Sequence, residues 1–587
     1  PLAICSRLSC ILGQGCQRVG LAQNSKMESA KRRLDDSKRR IPKVAAAIAR
    51  SIPIKDESGK SSKSPMIATA VSRMPNTKEA FEQAITKLSE QLDCEADLLL
   101  VFCTEPDKTG AGGHSREKVD AVVKDLESRA TLQGRTIPPI AGNTVCAGVI
   151  TQDHCISLSR KSEGDTASTP TLALWGFRDP DGDFATAAVD APGMATNSDT
   201  AVQAGRDVAQ LAKQRLRREP DSENLLLWLL ACIVTVTQTR IWLAELTQVR
   251  VVVAAAGQEE NVLSGVREVF KKGMLMGTTS AARDVNNLQN TWQFAKHGES
   301  SRLKQWRGVA LVVMCPSVQM ALVHTHGYGE ADKYAQVVTP PGHHCRGHFT
   351  KLIPGEYVND AFQPEDGREE GAWEVYNRWT NDKRLNQAKS TADKKNGADI
   401  LAPSSRFPLC VEESGTQTNT VYLRKRPPAH LHPHTHARTP CTPTQPHAHR
   451  PWPDRSISIP ALRITRCLQG TNRMLHPAKV TVEGYMEVFA SIQNGEIIQM
   501  CAGTTKSIIK RVREKPFLDA AAENREVPFK QESVIGSLSF FCAGCAGSVL
   551  QDGRGEDLSG AMRKAVVDKP FITVIPYGEQ VCNYQAE

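Results

Sequence analysis

The sequence predicts an α/β fold, and three observations predict it. Short apolar runs of strand length alternate with stripes at helical spacing, the strand–helix–strand pattern occurs twice, and each copy closes on a turn of small residues. Parallel neighbours need a crossover and a helix is the usual one, so two such copies argue for βαβ units rather than for hairpins.

The elements follow in order. Asn76 is placed to cap a helix, its side chain accepting from the first-turn amides while Glu79 completes a capping box. Phe81, Ala84, Ile85, Leu88 and Leu92 then form one apolar stripe. A buried strand is predicted at 98–102, a second helix carries Val119, Val122, Val123 and Leu126, and 140–150 is an extended apolar stretch rich in small residues. The second copy reads as a β-branched run at 249–253, a stripe of Val262, Val266, Val269 and Phe270, and a small-residue turn at 276–282. Between the copies, the polar, Ala-, Asp- and Gly-rich stretch 180–222 reads as a loop or linker, and 225–248 as an insertion. Next, 309–313 and 319–323 look like paired strands. Further on, 486–492 and 496–500 read as a hairpin closed at Asn494-Gly495, a dipeptide suited to a type I′ turn. A helix with Ile508, Ile509 and Val512, a strand at 537–541, a Cys-Ala-Gly-Cys turn, a helix at 559–567 and a strand at 571–575 complete the series.

Composition bounds the function. A chain of 587 residues should hold about two to four domains, and its 40% hydrophobic content can fill their cores. Residues 1–75 carry 15 Lys or Arg against 5 Asp or Glu, leaving 58 basic against 59 acidic residues for the rest. A neutral body with 5% aromatics has neither the cationic face nor the interleaved rings that nucleic acid requires. Residues 1–74 read as a disordered basic arm, or as an organelle transit segment because 1–26 lack acids. The 17 cysteines are not spaced like a disulfide-stapled secreted domain, so reduced thiols and a cytoplasmic location are expected. The longest apolar stretch, 225–237, falls short of the roughly 20 residues that cross a bilayer, and no membrane partner is expected. Residues 424–463, with 9 Pro and the histidines 430, 432, 434, 436, 447 and 449, can bury almost nothing and must be a solvated insertion.

Several motifs in this order resemble the FIST family, a FIST N domain followed by a FIST C domain. The first part offers 96–102 (ADLLLVF), 142–150 (GNTVCAGVI), 276–279 (MGTT), 306–310 (WRGVA), His326-Gly327 and 337–339 (VVT). The second offers 374–379 (EVYNRW), 407–409 (FPL), 539–542 (SFFC) and 576–579 (PYGE). The resemblance implies an N-like domain over 75–372 and a smaller α/β C-like domain over 373–587, interrupted at 424–463. It also implies an intracellular signal-transduction module that binds a small ligand such as an amino acid. Some relatives serve ubiquitin ligases through an F-box, which is not found here, and others resemble haem-based gas sensors.

Ligands of open α/β sheets bind beyond the carboxyl ends of strands, where glycine permits close approach and free amides hold anions. Gly142, Asn143, Thr144, Gly277, Thr278 and Thr279 occupy such positions, although the same glycines would equally serve tight turns under packed helices. His326, beside Gly327, can ligate haem iron or an anion, or can simply be a hydrogen-bonded strand-end histidine. Cys542 and Glu579 complete the candidate ligand set. Cys542 and Cys545 form a C-x-x-C, so a thiol-dependent enzyme using Cys542 is the alternative from another class. No metal site is assigned, because His343, His344, Cys345 and His348 splay apart as near neighbours. No phosphate loop, zincin motif or nucleophile elbow is present, and a non-catalytic role is expected.

Overall fold

A computed structural model describes residues 64–582 apart from 94, 107–112, 147, 154–169, 195–196, 221–224, 232–234, 237–252, 255–258, 272, 282–290, 299–307, 325–327, 339–347, 359–360, 391–396, 413–417, 425–471, 489–491, 524–533, 567–568 and 577–578. The arm at 1–63, nearly all of the Pro- and His-rich tract, the predicted strand at 249–252, and His326 and Gly327 therefore lie outside the described residues.

The chain opens with β1 (Met66–Ser72), α1 (Thr77–Leu92), β2 (Leu98–Thr104), α2 (Arg116–Leu132), β3 (Ile140–Val145), β4 (Val149–Thr151) and β5 (Leu172–Arg178). Order thus begins before Asn76, inside the stretch assigned to the basic arm, because 66–72 is apolar enough to add an edge to the sheet. Asn76 does cap α1, its Oδ1 accepting from the amides of Lys78 and Glu79 at 2.9 and 3.2 Å. Next come β6 (Asp183–Asp190), α3 (Ser198–Arg215), β7 (Leu226–Ala231), α4 (Glu259–Val269), β8 (Met274–Thr279), β9 (Gln293–Lys296) and β10 (Gly308–Cys315). The last series is β11 (Gln319–His324), β12 (Thr418–Arg424), α5 (Thr505–Glu523), β13 (Val534–Phe541), α6 (Ala543–Gln551), α7 (Gly555–Val566), β14 (Phe571–Val574) and β15 (Glu579–Cys582).

Among the described residues these strands form three five-stranded sheets with one shared pattern. Their orders are β1-β5-β2-β3-β9, β6-β10-β7-β8-β15 and β11-β12-β13-β14-β4. In each, the first three strands are mutually antiparallel, the third and fourth run parallel around helical crossovers, and the fifth is antiparallel. The βαβ repeat expected from the sequence is therefore present, and a third sheet follows the same plan. The fifth strand is always borrowed: β4, which follows β3, joins the third sheet; β9, which follows β8, joins the first; and β15, which follows β14, joins the second.

Alternation within strands sets the layers. On β2, Leu98, Leu100 and Phe102 face a central core shared with Trp175, Met276, Val312, Met314, Leu538, Phe540 and Ile572 from all three sheets. Leu99, Val101 and Cys103 face the other way, under α1 and α2. Helices α3 and α4 cover the second sheet in the same manner, and α6 and α7 the third. Strands buried on both faces read as continuous apolar runs rather than as alternating ones.

That last point explains the main departures from expectation. The apolar stretch taken for an insertion contains β7, the central strand of the second sheet and the parallel partner of β8. The stretch taken for a linker contains β6 and α3, whose buried face of Ala201, Ala204, Gly205, Val208, Ala209 and Ala212 is built from small side chains. Small residues there let the helices touch: a Cβ on Gly205 would lie 2.0 Å from the Val262 carbonyl oxygen, and one on Gly265 1.9 Å from that of Val202. The apolar runs at 309–313 and 319–323 are not paired; β10 and β11 belong to different sheets, joined by a turn that crosses between them. The predicted hairpin is also absent, since Met486–Val488 pairs with His348–Phe349 and Pro477–Val480, whereas Ile497–Ala502 pairs with Gly329–Val338 and Leu409–Glu412. Gly495 still makes the turn, with φ of 87°.

Between β11 and β13 the chain builds a separate layer with its own core around Trp373, Tyr376, Leu409 and Ile498. A seven-stranded sheet and a four-stranded sheet form it, with helices Ala372–Thr380 and Lys383–Ser390. The 372–373 boundary falls at the first residues of the first of these helices, within this layer. No helix among the described residues is long and apolar enough to cross a membrane.

Candidate functional site

The parallel strands β3, β8 and β14 each end near the next sheet, and backbone hydrogen bonds tie the three ends together. After β8, the Ala281 amide donates to the Thr144 carbonyl at 2.9 Å. After β3, the Cys146 amide and thiol donate to the Ile575 carbonyl at 3.1 and 3.2 Å. After β14, Glu579 stands opposite Thr278 in the β15–β8 ladder. Six predicted residues, Gly142 to Thr144 and Gly277 to Thr279, thus lie on adjoining strand ends, with the backbone of Glu579 beside them.

The side chains there divide into those with partners and those without. Thr144 is fully buried, its Oγ1 accepting from the Trp292 amide at 3.2 Å. Gly142 is walled in by its neighbours, since a Cβ would sit 2.3 Å from the Val101 carbonyl oxygen; its missing side chain serves strand packing. Asn143 lies on the inward face with Ala141 and Val145, is fully buried, and neither its Oδ1 nor its Nδ2 has a hydrogen-bond partner among the described residues. Thr278, on the inward face with Met276, is likewise buried with its Oγ1 unpartnered. Gln293 links the two: it stands opposite Asn143 on β9, and its Oε1 accepts from Ser280, two residues beyond Thr278, at 3.1 Å. A buried polar group left unpaired costs about 1–3 kcal/mol, so three such atoms close together ask for a partner. An amide offers one donor face and one acceptor face, and a hydroxyl offers both.

Cys542 lies beyond this junction, at the N-cap of α6, and the Ala543 amide donates to the Pro576 carbonyl at 3.1 Å. The hydrogen bond with Cys545 and burial push its thiol up, although His476 pulls the other way. This is the reverse of what a thiolate nucleophile needs. Around it gather Cys545, Cys501, Cys410 and Tyr328, all buried in one core, with Cys146 packed against them. The Tyr328 hydroxyl donates to the Ser405 carbonyl at 2.6 Å, and desolvation first, then Cys545, pushes its phenol well up. His476 closes the group, its ring edge-on to Tyr328 at 6.1 Å between centroids.

Sequence reasoning marked the Gly-Thr strand ends and Cys542, and it missed Gln293, Ser280, Tyr328 and His476. Polar residues within or flanking apolar runs were the available signal for the first two. Nothing in the sequence joins His476 to a cysteine 66 positions later.

Residues 447–582 match the FIST C domain, so the C-terminal part of the resemblance is confirmed over the segment that holds His476, Cys542 and Cys545. No curated protein matches the chain. Solved structures with some likeness include a cyanuric acid hydrolase described as an evolutionary innovation by structural concatenation, with TM-score 0.25, 8% identity, and coverage of 44% of this chain and 72% of that one. The cyanuric acid hydrolase of A. caulinodans gives TM-score 0.24, 8% identity, and coverage of 44% and 71%. Both likenesses are too slight to bear on fold or activity.

Proposed function

We propose that the chain is a non-catalytic sensory module, with a FIST N-like part preceding its FIST C domain, and that it binds a small polar metabolite where β3 and β8 end. The observation that carries this reading is Asn143, a fully buried amide with neither polar atom paired among the described residues, set beside a second unpartnered group, the Thr278 hydroxyl. An amino-acid-like ligand suits the pair chemically. Its carboxylate accepts from Asn143 Nδ2, and its ammonium donates to Asn143 Oδ1 or to Thr278 Oγ1. The raised Cys542 thiol speaks against the alternative of a thiol-dependent enzyme. Binding acts as a signal only if the ligand favours one conformation over another, and the seam where three sheets meet is a place where closure can differ between states.

The test is to purify the protein from its native source, denature it, and identify released small molecules by mass spectrometry. In parallel, a panel of amino acids is screened for thermal stabilisation. A ligand at about 100 times its Kd should stabilise by about 2.7 kcal/mol. Asn143→Leu should abolish both retention and stabilisation. If the variant keeps the same molecule, or the wild type releases nothing and responds to nothing in the panel, the reading fails.

A further inference from the structure

A metal centre stands apart from the strand-end site and does not depend on it. We propose that His476, Cys542 and Cys545 bind a thiophilic metal ion, Zn²⁺. One ligand atom from each of the three lies within 4.8 Å of the others, and the residues are 7%, 4% and 1% exposed. Zinc bonds of about 2.3 Å to sulfur and about 2.0–2.1 Å to nitrogen place tetrahedral ligand atoms roughly 3.5–3.8 Å apart, so side-chain rotation of about 1 Å closes the site.

Three independent parts of the fold bring the donors together. Cys542 caps α6 and Cys545 is its third residue, and a three-residue step leaves both sulfurs on one side of the helix start. His476 is the single residue between strands Asn472–Leu475 and Pro477–Val480, so the two strands fix its position from both sides. Gly544, between the cysteines, makes room for the imidazole: a Cβ there would lie 2.9 Å from His476 Cε1. The spacing C-x-G-C therefore carries a contact that any larger third residue would obstruct.

Charge and surroundings favour zinc. Two thiolates and a neutral imidazole cancel the two charges of the ion, so the buried site is neutral overall, which a dry core demands. The Tyr328 hydroxyl, hydrogen-bonded with Cys545, orients that sulfur from the outer shell. Two further thiols of the same core, Cys410 and Cys501, with sulfurs 3.3 Å apart, are at hand to complete a tetrahedron. Binding replaces thiol protons, so affinity should rise with pH.

The experiment measures metal in the full chain purified under reducing conditions, then titrates the metal-stripped protein with Zn²⁺ against a chromophoric chelator. One equivalent of zinc is expected. Cys542→Ser, Cys545→Ser and Gly544→Ala should each weaken it, the cysteine variants by at least about 100-fold, the upper end of what losing an outer-shell partner costs. Co²⁺ loaded into the wild type should show a thiolate charge-transfer band, a readout that stands even if a variant fails to fold. No stoichiometric zinc, zinc retained by the double cysteine variant, uptake of Cu(I) but not Zn²⁺, or a Cys542–Cys545 disulfide in freshly purified protein would each overturn the proposal.

Discussion

Asn143 and Thr144 are chain neighbours, both fully buried, yet one has no partner among the described residues and the other is bonded across to Trp292. Their substitutions should therefore move stability in opposite directions. Asn143→Leu replaces an unsatisfied amide with an apolar side chain of similar volume, and in the ligand-free protein should be neutral or stabilising by up to about 1–3 kcal/mol. Thr144→Val keeps the shape but strips the acceptor from the Trp292 amide, and should cost about 0.5–1.5 kcal/mol or more. Urea unfolding of the two variants side by side checks the contrast, and equal losses from both would contradict it. The strand-end residues were legible because glycine and threonine stood out against apolar runs. Which of them lacked a partner was not, since pairing depends on β9, a strand some 150 residues away in sequence. Cys542 was legible as half of a C-x-x-C, but burial pushes its thiol away from the reactivity that motif suggests.

At the scale of elements, the helix pair α3 and α4 shows what composition hides. A stretch rich in alanine and aspartate reads as a linker, yet its small residues are what allow two helices to meet backbone to backbone at Gly205 and Gly265. Gly205→Val should force the pair apart and destabilise by about 1–3 kcal/mol, with Gly205→Ala intermediate, read as a graded fall in the thermal midpoint. An unchanged midpoint for valine would mean the helices are not held at this distance. Elements with conventional signals were found where expected: the Asn76 cap, the α1 stripe, β2, β13 and β14. Strand partners were not, because periodicity specifies which face of a strand is buried and says nothing about which strand lies beside it. The supposed hairpin around Gly495 made the local turn correctly and sent its two arms to different sheets.

For the whole molecule, the decisive feature is one central core shared by three sheets, and the α/β class was visible while the threefold plan was not. The third sheet draws β4, β11, β12, β13 and β14 from positions spread between 149 and 574, too scattered for a repeat to show in sequence. A shared core predicts shared unfolding. Phe540→Ala, in the third sheet, should cost about 3–5 kcal/mol and lower hydrogen-exchange protection in β2 and β10 as well as in β13. Loss confined to β13 would show that the sheets open separately. The passing of a strand from each sheet to the next has a further consequence for how such a protein can change. No third can be excised, duplicated or swapped for a foreign one without leaving a vacancy in one neighbour and a stray strand in another. The three are thus bound to vary together, and a shift of one seam has to be absorbed around the full circle.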